Sequence, residues 1–433
     1  MKISVIGVGY VGLVSGVCFA EIGHQVFAFD VDKEKIEKLK KGICPIYERN
    51  LPYLLKKNLS KKRIIFVDNL KDAIKESKVI FNAVGTPPDE QRRVDLKYVW
   101  EVARKVGKIL DHYVVFVNKS TVPVGTTEKT KKIIKENLKK KLNFDVASNP
   151  EFLREGSAVE DFLKPDRIVI GIESKKAERI LREIYQPIIQ KGYPILITDI
   201  KSAEMIKYAS NAFLATKLSF INELANLCEK LGANIKDVIK GMGLDKRIGP
   251  HYLKPGPGFG GSCLPKDIDG LIHTALDEGI NLRVLEAVRD VNESQQLIGV
   301  QKLKKHLPNV FGKTIAIWGL AFKAGTDDIR ESSAIKTIQE LIQEGAKVKC
   351  FDPVAMENAK KIFTNLNKVE FCKDKFEVLK GADALLIMTD WEEFKEIKPT
   401  QIKKYLKIVI DTRNLFDKKE FQKAGLIYEG VGL

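Results

Sequence analysis

The chain reads as an α/β protein in which two doubly wound domains are joined by a long central helix and a small helical domain. Three observations predict this. An apolar strand over residues 2–7 runs directly into Gly7-Val8-Gly9-Tyr10-Val11-Gly12, and Asp30 ends the next strand 23 residues after Gly7. That order of strand, glycine turn, helix, strand and acid marks a Rossmann-like dinucleotide-binding unit. From Lys201 to Gly232 the chain has no proline or internal glycine, and Ile206, Phe213, Leu218, Ile221, Leu224 and Leu227 recur at helical spacing. At Gly312 the α/β pattern restarts with the apolar stretch Thr314–Lys323, a helix near 332–344 and a strand ending at Asp352. The second unit is Rossmann-like without a proper GxGxxG.

The elements follow in order. In the first domain, the helix after the glycine turn ends near Gly23 and a strand spans His24–Phe29. Further strands are predicted at 64–67, 79–84, 114–119, 145–148 and 167–172, with helices between them. Strands recur at 383–388 and 407–411 in the second. The boundaries are drawn at 1–200 for the dinucleotide-binding domain, 201–305 for the central helical domain and 306–433 for the C-terminal domain. A helix as long as 201–232, linking two domains, also suits a subunit interface, so a homodimer is expected through it.

The 433 residues include 44% hydrophobic ones, enough for several cores and against global disorder. The net charge of +16 calls for an anionic partner. Its lysines are spread and few aromatics accompany them, so a nucleotide fits better than nucleic acid. The densest cluster, Lys131, Lys132, Lys135, Lys139, Lys140 and Lys141, reads as a solvated helix face. Six cysteines show no CxxC and no metal spacing, and five of them read as small core hydrophobes. The apolar opening from Ile3 to Ala20 reads as strand plus helix rather than a targeting signal. No run reaches membrane-spanning length without charge. These features predict a soluble, cytoplasmic protein.

The most informative stretch is Gly258-Phe-Gly-Gly-Ser-Cys263-Leu-Pro265-Lys266-Asp267. Its glycines would let backbone approach a ligand closely, and Pro265 suits the first turn of a helix. Cys263 is then placed at a helix N-terminus, where amides and the dipole favour a thiolate, with Lys266 close by. A nicotinamide cofactor together with an activated thiol is equipment for oxidising an alcohol through an aldehyde to an acid. Four electrons leave, so two NAD are used in turn, and the thiolate traps the aldehyde as a thiohemiacetal. The five histidines sit in no motif. Lys207 and Asn211, spaced i, i+4, share one helix face, a pattern that by itself suits solvated surface as well as a site. Asp267 is placed to orient a water or to pair with Lys207. Asp30 would accept from the ribose hydroxyls and repel a 2′-phosphate, which predicts NAD over NADP.

By these residues the chain resembles the UDP-glucose/GDP-mannose dehydrogenase family over nearly its whole length. The likeness rests on Gly7–Gly12, Asp30, KSTVPVGTT (119–127), NPEFLREG (149–156), PDRIVIG (165–171), the Lys207/Asn211 helix, RIG (247–249), the cysteine loop and FKAGTDDIRESS (322–333). One departure is Glu48-Arg49-Asn50-Leu51, where the family more often has Glu-Pro-Gly-Leu; it leaves the catalytic positions untouched.

The resemblance implies roles for individual residues. Lys207 and Asn211 would stabilise a developing alkoxide, and Glu151, helped by Thr121, would activate water for thioester hydrolysis. The cofactor would meet Gly7, Val8, Gly9, Tyr10, Val11, Gly12, Asp30, Lys35, Thr86, Thr121, Glu155, Lys266 and Arg330. The sugar nucleotide would meet Glu151, Phe152, Leu153, Lys207, Asn211, Arg247, Lys254, Phe259, Gly260, Lys323 and Arg413, with Gly319 and Lys323 serving its nucleotide. Among substrates, Arg247-Ile248-Gly249 favours UDP-glucose, with GDP-mannose and a UDP-N-acetylhexosamine as alternatives. A nucleotide binder without catalysis is disfavoured, because it has no use for a loop thiol.

Overall fold

A computed structural model describes residues 1–364 and 367–433. The chain divides into two compact units, residues 1–210 with 269–279 and residues 211–268 with 280–433.

The first unit is built on an eight-stranded sheet. Its strands are β1 (Lys2–Ile6), β2 (Gln25–Phe29), β3 (Ile64–Phe66), β4 (Val79–Asn82), β5 (Val115–Asn118), β6 (Asp145–Ser148), β7 (Ile168–Ile172) and β8 (Ile195–Thr198), in the order β3-β2-β1-β4-β5-β6-β7-β8. The first six strands give the 3-2-1-4-5-6 arrangement of a dinucleotide-binding fold. The run of apolar residues in β4 and β5 is buried on both faces, as parallel strands under two helix layers require. β7 reverses direction and pairs antiparallel with β6 through Ala147↔Ile172 and Ser148↔Gly171. β8 pairs parallel to β7 and was not anticipated, because only two of its four positions alternate in burial and Leu196 faces solvent.

The helix Tyr10–Glu21 follows the glycine turn at once. Gly7 sits at φ 88°, and a Cβ on Gly12 would stand 1.8 Å from the Gly7 carbonyl, so only glycine fits there. In the departing segment, Asn50 takes φ 65° just before the helix Leu51–Ser60. Asparagine tolerates the left-handed region best after glycine, which is why the substitution is accommodated. The lysine cluster is corrected: the helix Thr126–Glu136 ends before Lys139, so only Lys131, Lys132 and Lys135 lie on it.

The second unit carries a six-stranded, all-parallel sheet of β9 (Thr314–Trp318), β10 (Lys347–Phe351), β11 (Val369–Phe371), β12 (Ala384–Ile387), β13 (Ile408–Asp411) and β14 (Ile427–Gly430), ordered β11-β10-β9-β12-β13-β14. The edge strands β11 and β14 escaped the sequence reading because they are three and four residues long. Its core gathers Trp318 stacked on Phe394, with Ile317, Leu386 and Ile410.

The long helix spans Ile200–Leu231, close to the expected range. Its apolar residues form two faces rather than one stripe. Ile221, Ala225 and Cys228 are buried together with Ile235 and Val431, whereas Phe213, Phe220 and Leu227, seven apart, are exposed. No helix among the described residues is long and apolar enough to cross a membrane. Cysteines 18, 228, 350 and 372 are buried; Cys44 is half-buried and packs against the edge of the first unit's core, its thiol donating to the Ile46 carbonyl at 3.3 Å.

Candidate active site

In the first unit the glycine turn is tied to the acid that follows β2. The Val8 amide donates to Asp30 Oδ2 at 2.8 Å, and Lys35 Nζ lies 3.4 Å from the same oxygen. Gly9 is exposed, and a Cβ built on it would meet no atom within 4 Å. The open space at Gly9, beside the first amides of a 12-residue helix, fits a pyrophosphate. Asp30, only 11% exposed at its side chain, keeps its carboxylate beside the turn, where the ribose of a dinucleotide rests. The turn's geometry therefore suits NAD. Thr86 Oγ1 donates to the Thr121 carbonyl at 3.0 Å, which ties the loops after β4 and β5 together.

The NPEF segment follows β6. Glu151 is buried and ion-paired to Lys207, with Oε1 to Nζ at 3.1 Å, while its Oε2 accepts from the Leu153 amide at 2.6 Å. Both partners of this pair are about 4% exposed, so they act as a desolvated unit rather than as surface charges. Phe152 presents its ring to the Arg167 guanidinium at 3.6 Å and to Lys207 Nζ at 5.4 Å. Lys207 is thus a buried group rather than solvated surface.

A second buried lysine was missed. Lys119, at the end of β5, donates to the Asn149 side-chain oxygen at 3.2 Å, and Tyr185 donates to the same oxygen at 2.5 Å. Burial pulls its ammonium down to about 8, with Glu151 pushing back and Lys207 adding repulsion. The one signal in the sequence is a lysine two residues after the apolar run Val114–Val117.

In the second unit Cys263 is exposed and immediately precedes the helix Leu264–Asp277. Its carbonyl accepts from the Asp267 amide at 2.9 Å, so the thiol lies at the positive end of a 14-residue helix. Asp267 is buried, and its two oxygens take Asn211 Nδ2 at 2.5 Å and Lys266 Nζ at 2.6 Å. Lys266 is therefore engaged by Asp267. Lys207 and Asn211 stand one turn apart on the helix Ile200–Leu231, the first paired to Glu151 and the second to Asp267.

The glycines of the cysteine loop pack closely against the protein. A Cβ on Gly260 would stand 2.2 Å from the Glu331 carbonyl, and one on Gly261 2.8 Å from the Phe322 ring. The close approach is to the protein itself. The Gly261 amide donates to the Arg330 carbonyl at 2.8 Å, and Phe259, buried, donates its amide to Asn292. Gly319 is a packing glycine too, because Thr389 Cβ would lie 2.3 Å from its Cβ.

The cations assigned to a diphosphate are spread over several neighbours. Arg413 donates to the Met388 and Phe322 carbonyls at 2.7 and 2.8 Å, Lys254 pairs with Asp390 at 2.7 Å, and Lys323 lies 5.6 Å from the Phe322 ring. Arg247 and Arg330 are exposed and fork onto Asp245 and Asp328. Glu155 is half-buried beside Tyr10, whose hydroxyl bonds to a further buried acid, Glu48. Glu48 entered the sequence reading only within the departing segment and without a role, because its partners lie 38 and 108 residues away.

Comparison with known proteins covers most of the chain. Residues 1–189 match the NAD binding domain of the UDP-glucose/GDP-mannose dehydrogenase family, residues 201–294 its central domain and residues 316–418 its UDP binding domain. The chain is 48% identical over 433 residues to the UDP-glucose 6-dehydrogenase TuaD of Bacillus subtilis, covering 100% of this chain and 93% of that protein. It is 45% identical over 438 residues to a UDP-glucose 6-dehydrogenase of Rhizobium meliloti, covering 100% and 99%. A solved UDP-glucose dehydrogenase from Pyrobaculum islandicum superposes with a TM-score of 0.93 at 39% identity, covering 100% of this chain and 97% of the other. The chain belongs to the UDP-glucose/GDP-mannose dehydrogenase family.

Proposed function

We propose that the protein oxidises UDP-glucose to UDP-glucuronate with two NAD+. The observation that carries this reading is Cys263, an exposed thiol at a helix N-terminus, in a chain whose relatives are named for that activity. Residues 1–200 hold the cofactor at Gly7–Gly12 and Asp30, residues 306–433 hold the uridine diphosphate, and residues 201–305 supply the thiol. Bound NAD+ supplies the hydride acceptor in both oxidations.

Lys207 and one N–H of Asn211 donate to the oxygen at the sugar's C6, stabilising the alkoxide, while Asp267 fixes the other N–H of that amide. The C6 hydroxyl proton passes to water and a C6–H hydride is lost, giving the aldehyde; the Cys263 thiol then adds its sulfur to the aldehyde carbon and its proton to the carbonyl oxygen, giving a thiohemiacetal. Loss of its C–H hydride and O–H proton leaves a thioester. Glu151 takes a proton from the attacking water, the C–S bond breaks, and acid and thiolate are released.

The test is stoichiometry with wild type and Cys263→Ser. Two NADH per UDP-glucuronate are expected, with turnover in the variant lower by about a thousandfold or more. One NADH per sugar with free aldehyde, or a fully active variant, overturns the scheme. The exposed residues Phe213, Phe220 and Leu227 support a homodimer through the central helix. A monomer in sedimentation at micromolar concentration would refute it.

A further inference from the structure

Glu48 lies just ahead of the helix Leu51–Ser60, and its side chain is buried, 4% exposed. Its Oε2 accepts two hydrogen bonds, one from the Tyr10 hydroxyl and one from the Gly156 amide at 2.7 Å. The same amide reaches the Tyr10 oxygen at 3.2 Å, closing a three-membered cluster. The other carboxylate oxygen, Oε1, is sealed from solvent without a hydrogen-bond partner. A half-satisfied buried carboxylate is costly, and a fold that only needed packing would fill the place with an apolar side chain.

The two partners explain its presence. Tyr10 is the first residue of the helix that follows the glycine turn, and Gly156 ends the segment carrying Glu151, Phe152, Leu153 and Glu155. Gly156 sits at φ 86°, so its amide is aimed by a backbone conformation that other residues rarely adopt. Burial and the charge of Glu48 push the Tyr10 phenol far above its ordinary value, so it remains a donor at any working pH.

We propose that Glu48 is a positioning residue that clamps the 151–156 segment to the start of the cofactor-turn helix, fixing Glu151 relative to the bound cofactor. This rests on the reading that Glu151 and the glycine turn serve one reaction. Neither Glu48 nor Gly156 need touch a ligand for this. Their effect passes through the loop.

The experiment compares Glu48→Ala and Glu48→Gln with wild type, all as full-length protein. In amide hydrogen exchange with NAD+ present and no sugar nucleotide, Gly156 should exchange at least about tenfold faster in Glu48→Ala. Glu48→Gln, whose amide oxygen still accepts, should stay within about threefold of wild type. In turnover, Glu48→Ala should lose about tenfold or more in kcat while its NAD+ dissociation constant moves less than about threefold. A purely structural residue would instead lower thermal stability, NAD+ affinity and kcat together, and that result overturns the proposal. So does unchanged exchange at Gly156, or unchanged kcat, in Glu48→Ala. If Glu48→Ala does not fold, Tyr10→Phe carries the test, with Gly156 exchange accelerated and kcat lowered as the supporting result and no change in either as the refuting one. The exchange measurement uses no sugar nucleotide, so it judges the clamp even if wild type fails to oxidise UDP-glucose, a failure that would strike the proposed function alone.

Discussion

In the first unit Gly7 follows β1 at φ 88° and donates its amide to the Phe29 carbonyl at 2.8 Å; in the second, Gly319 follows β9 at φ 88° and donates to the Phe351 carbonyl at 2.8 Å. The next amide in each case, Val8 or Leu320, donates to the acid that ends the following strand, Asp30 or Asp352. The two turns share their skeleton and differ in what is built on it. Gly9 and Gly12 of the first turn correspond to Ala321 and Ala324 of the second. Gly9 is open to solvent, whereas Ala321 is 1% exposed. The first turn enters a helix at Tyr10, but the second runs through a loop until the helix Ser333–Gln343. Asp352 is 1% exposed and also binds the Ala321, Val354 and Ala355 amides and Trp391 Nε1, so it has nothing left for a ribose. A Rossmann-like strand order does not by itself make a dinucleotide site. The missing Cβ, the immediate helix and the available acid do.

The largest effect that tests this contrast is expected at Gly12. Gly12→Ala places a methyl 1.8 Å from the Gly7 carbonyl, so soluble, folded protein should be lost. Ala324→Gly, at the matching position, should cost no more than about 1 kcal/mol in urea unfolding. Next in size is Gly9→Ala, which has room in the fold but occupies the space assigned to pyrophosphate. Its melting temperature should hold while NAD+ affinity in calorimetry falls by about tenfold or more. Ala321→Gly should leave NAD+ affinity unchanged. Equal losses from both would show that the second turn binds the cofactor after all.

A smaller effect separates two buried lysines, one in each unit. Lys119 in the first unit bonds to neutral Asn149, and Lys302 in the second pairs with Glu229. The folded value of Lys119, about 8, lies below its ordinary 10.5. Between these values the unfolded chain holds a proton that the folded one has released. Stability should therefore rise with pH across that window, by up to about 3 kcal/mol. Lys119→Met should flatten that rise in urea unfolding measured near pH 8 and near pH 10. Burial also lowers the Lys302 ammonium, though Glu229 opposes it, so Lys302→Met should remove only a smaller part of the slope and cost about 3 kcal/mol throughout, by taking from Glu229 its buried ion-pair partner. A wild-type slope that survives Lys119→Met would place the titration elsewhere.

The sequence by itself determined the parts governed by local geometry. A strand, a turn needing positive φ and a helix in immediate succession are constraints among neighbours, so Gly7–Gly12, Asp30 and the position of Cys263 before its helix were legible. Spacing also placed Lys207 and Asn211 on one helix. Tertiary structure decided what those residues face. Glycines 260, 261 and 319 read as ligand approaches, and their Cβ directions meet Glu331, Phe322 and Thr389, partners 61 to 71 residues away. Only packing paired Lys207 with Glu151, turned Lys266 to Asp267 and buried Lys119 and Glu48. The physical reason is that backbone conformation is set by adjacent atoms, whereas charge, desolvation and hydrogen-bond partnership depend on what folding brings near.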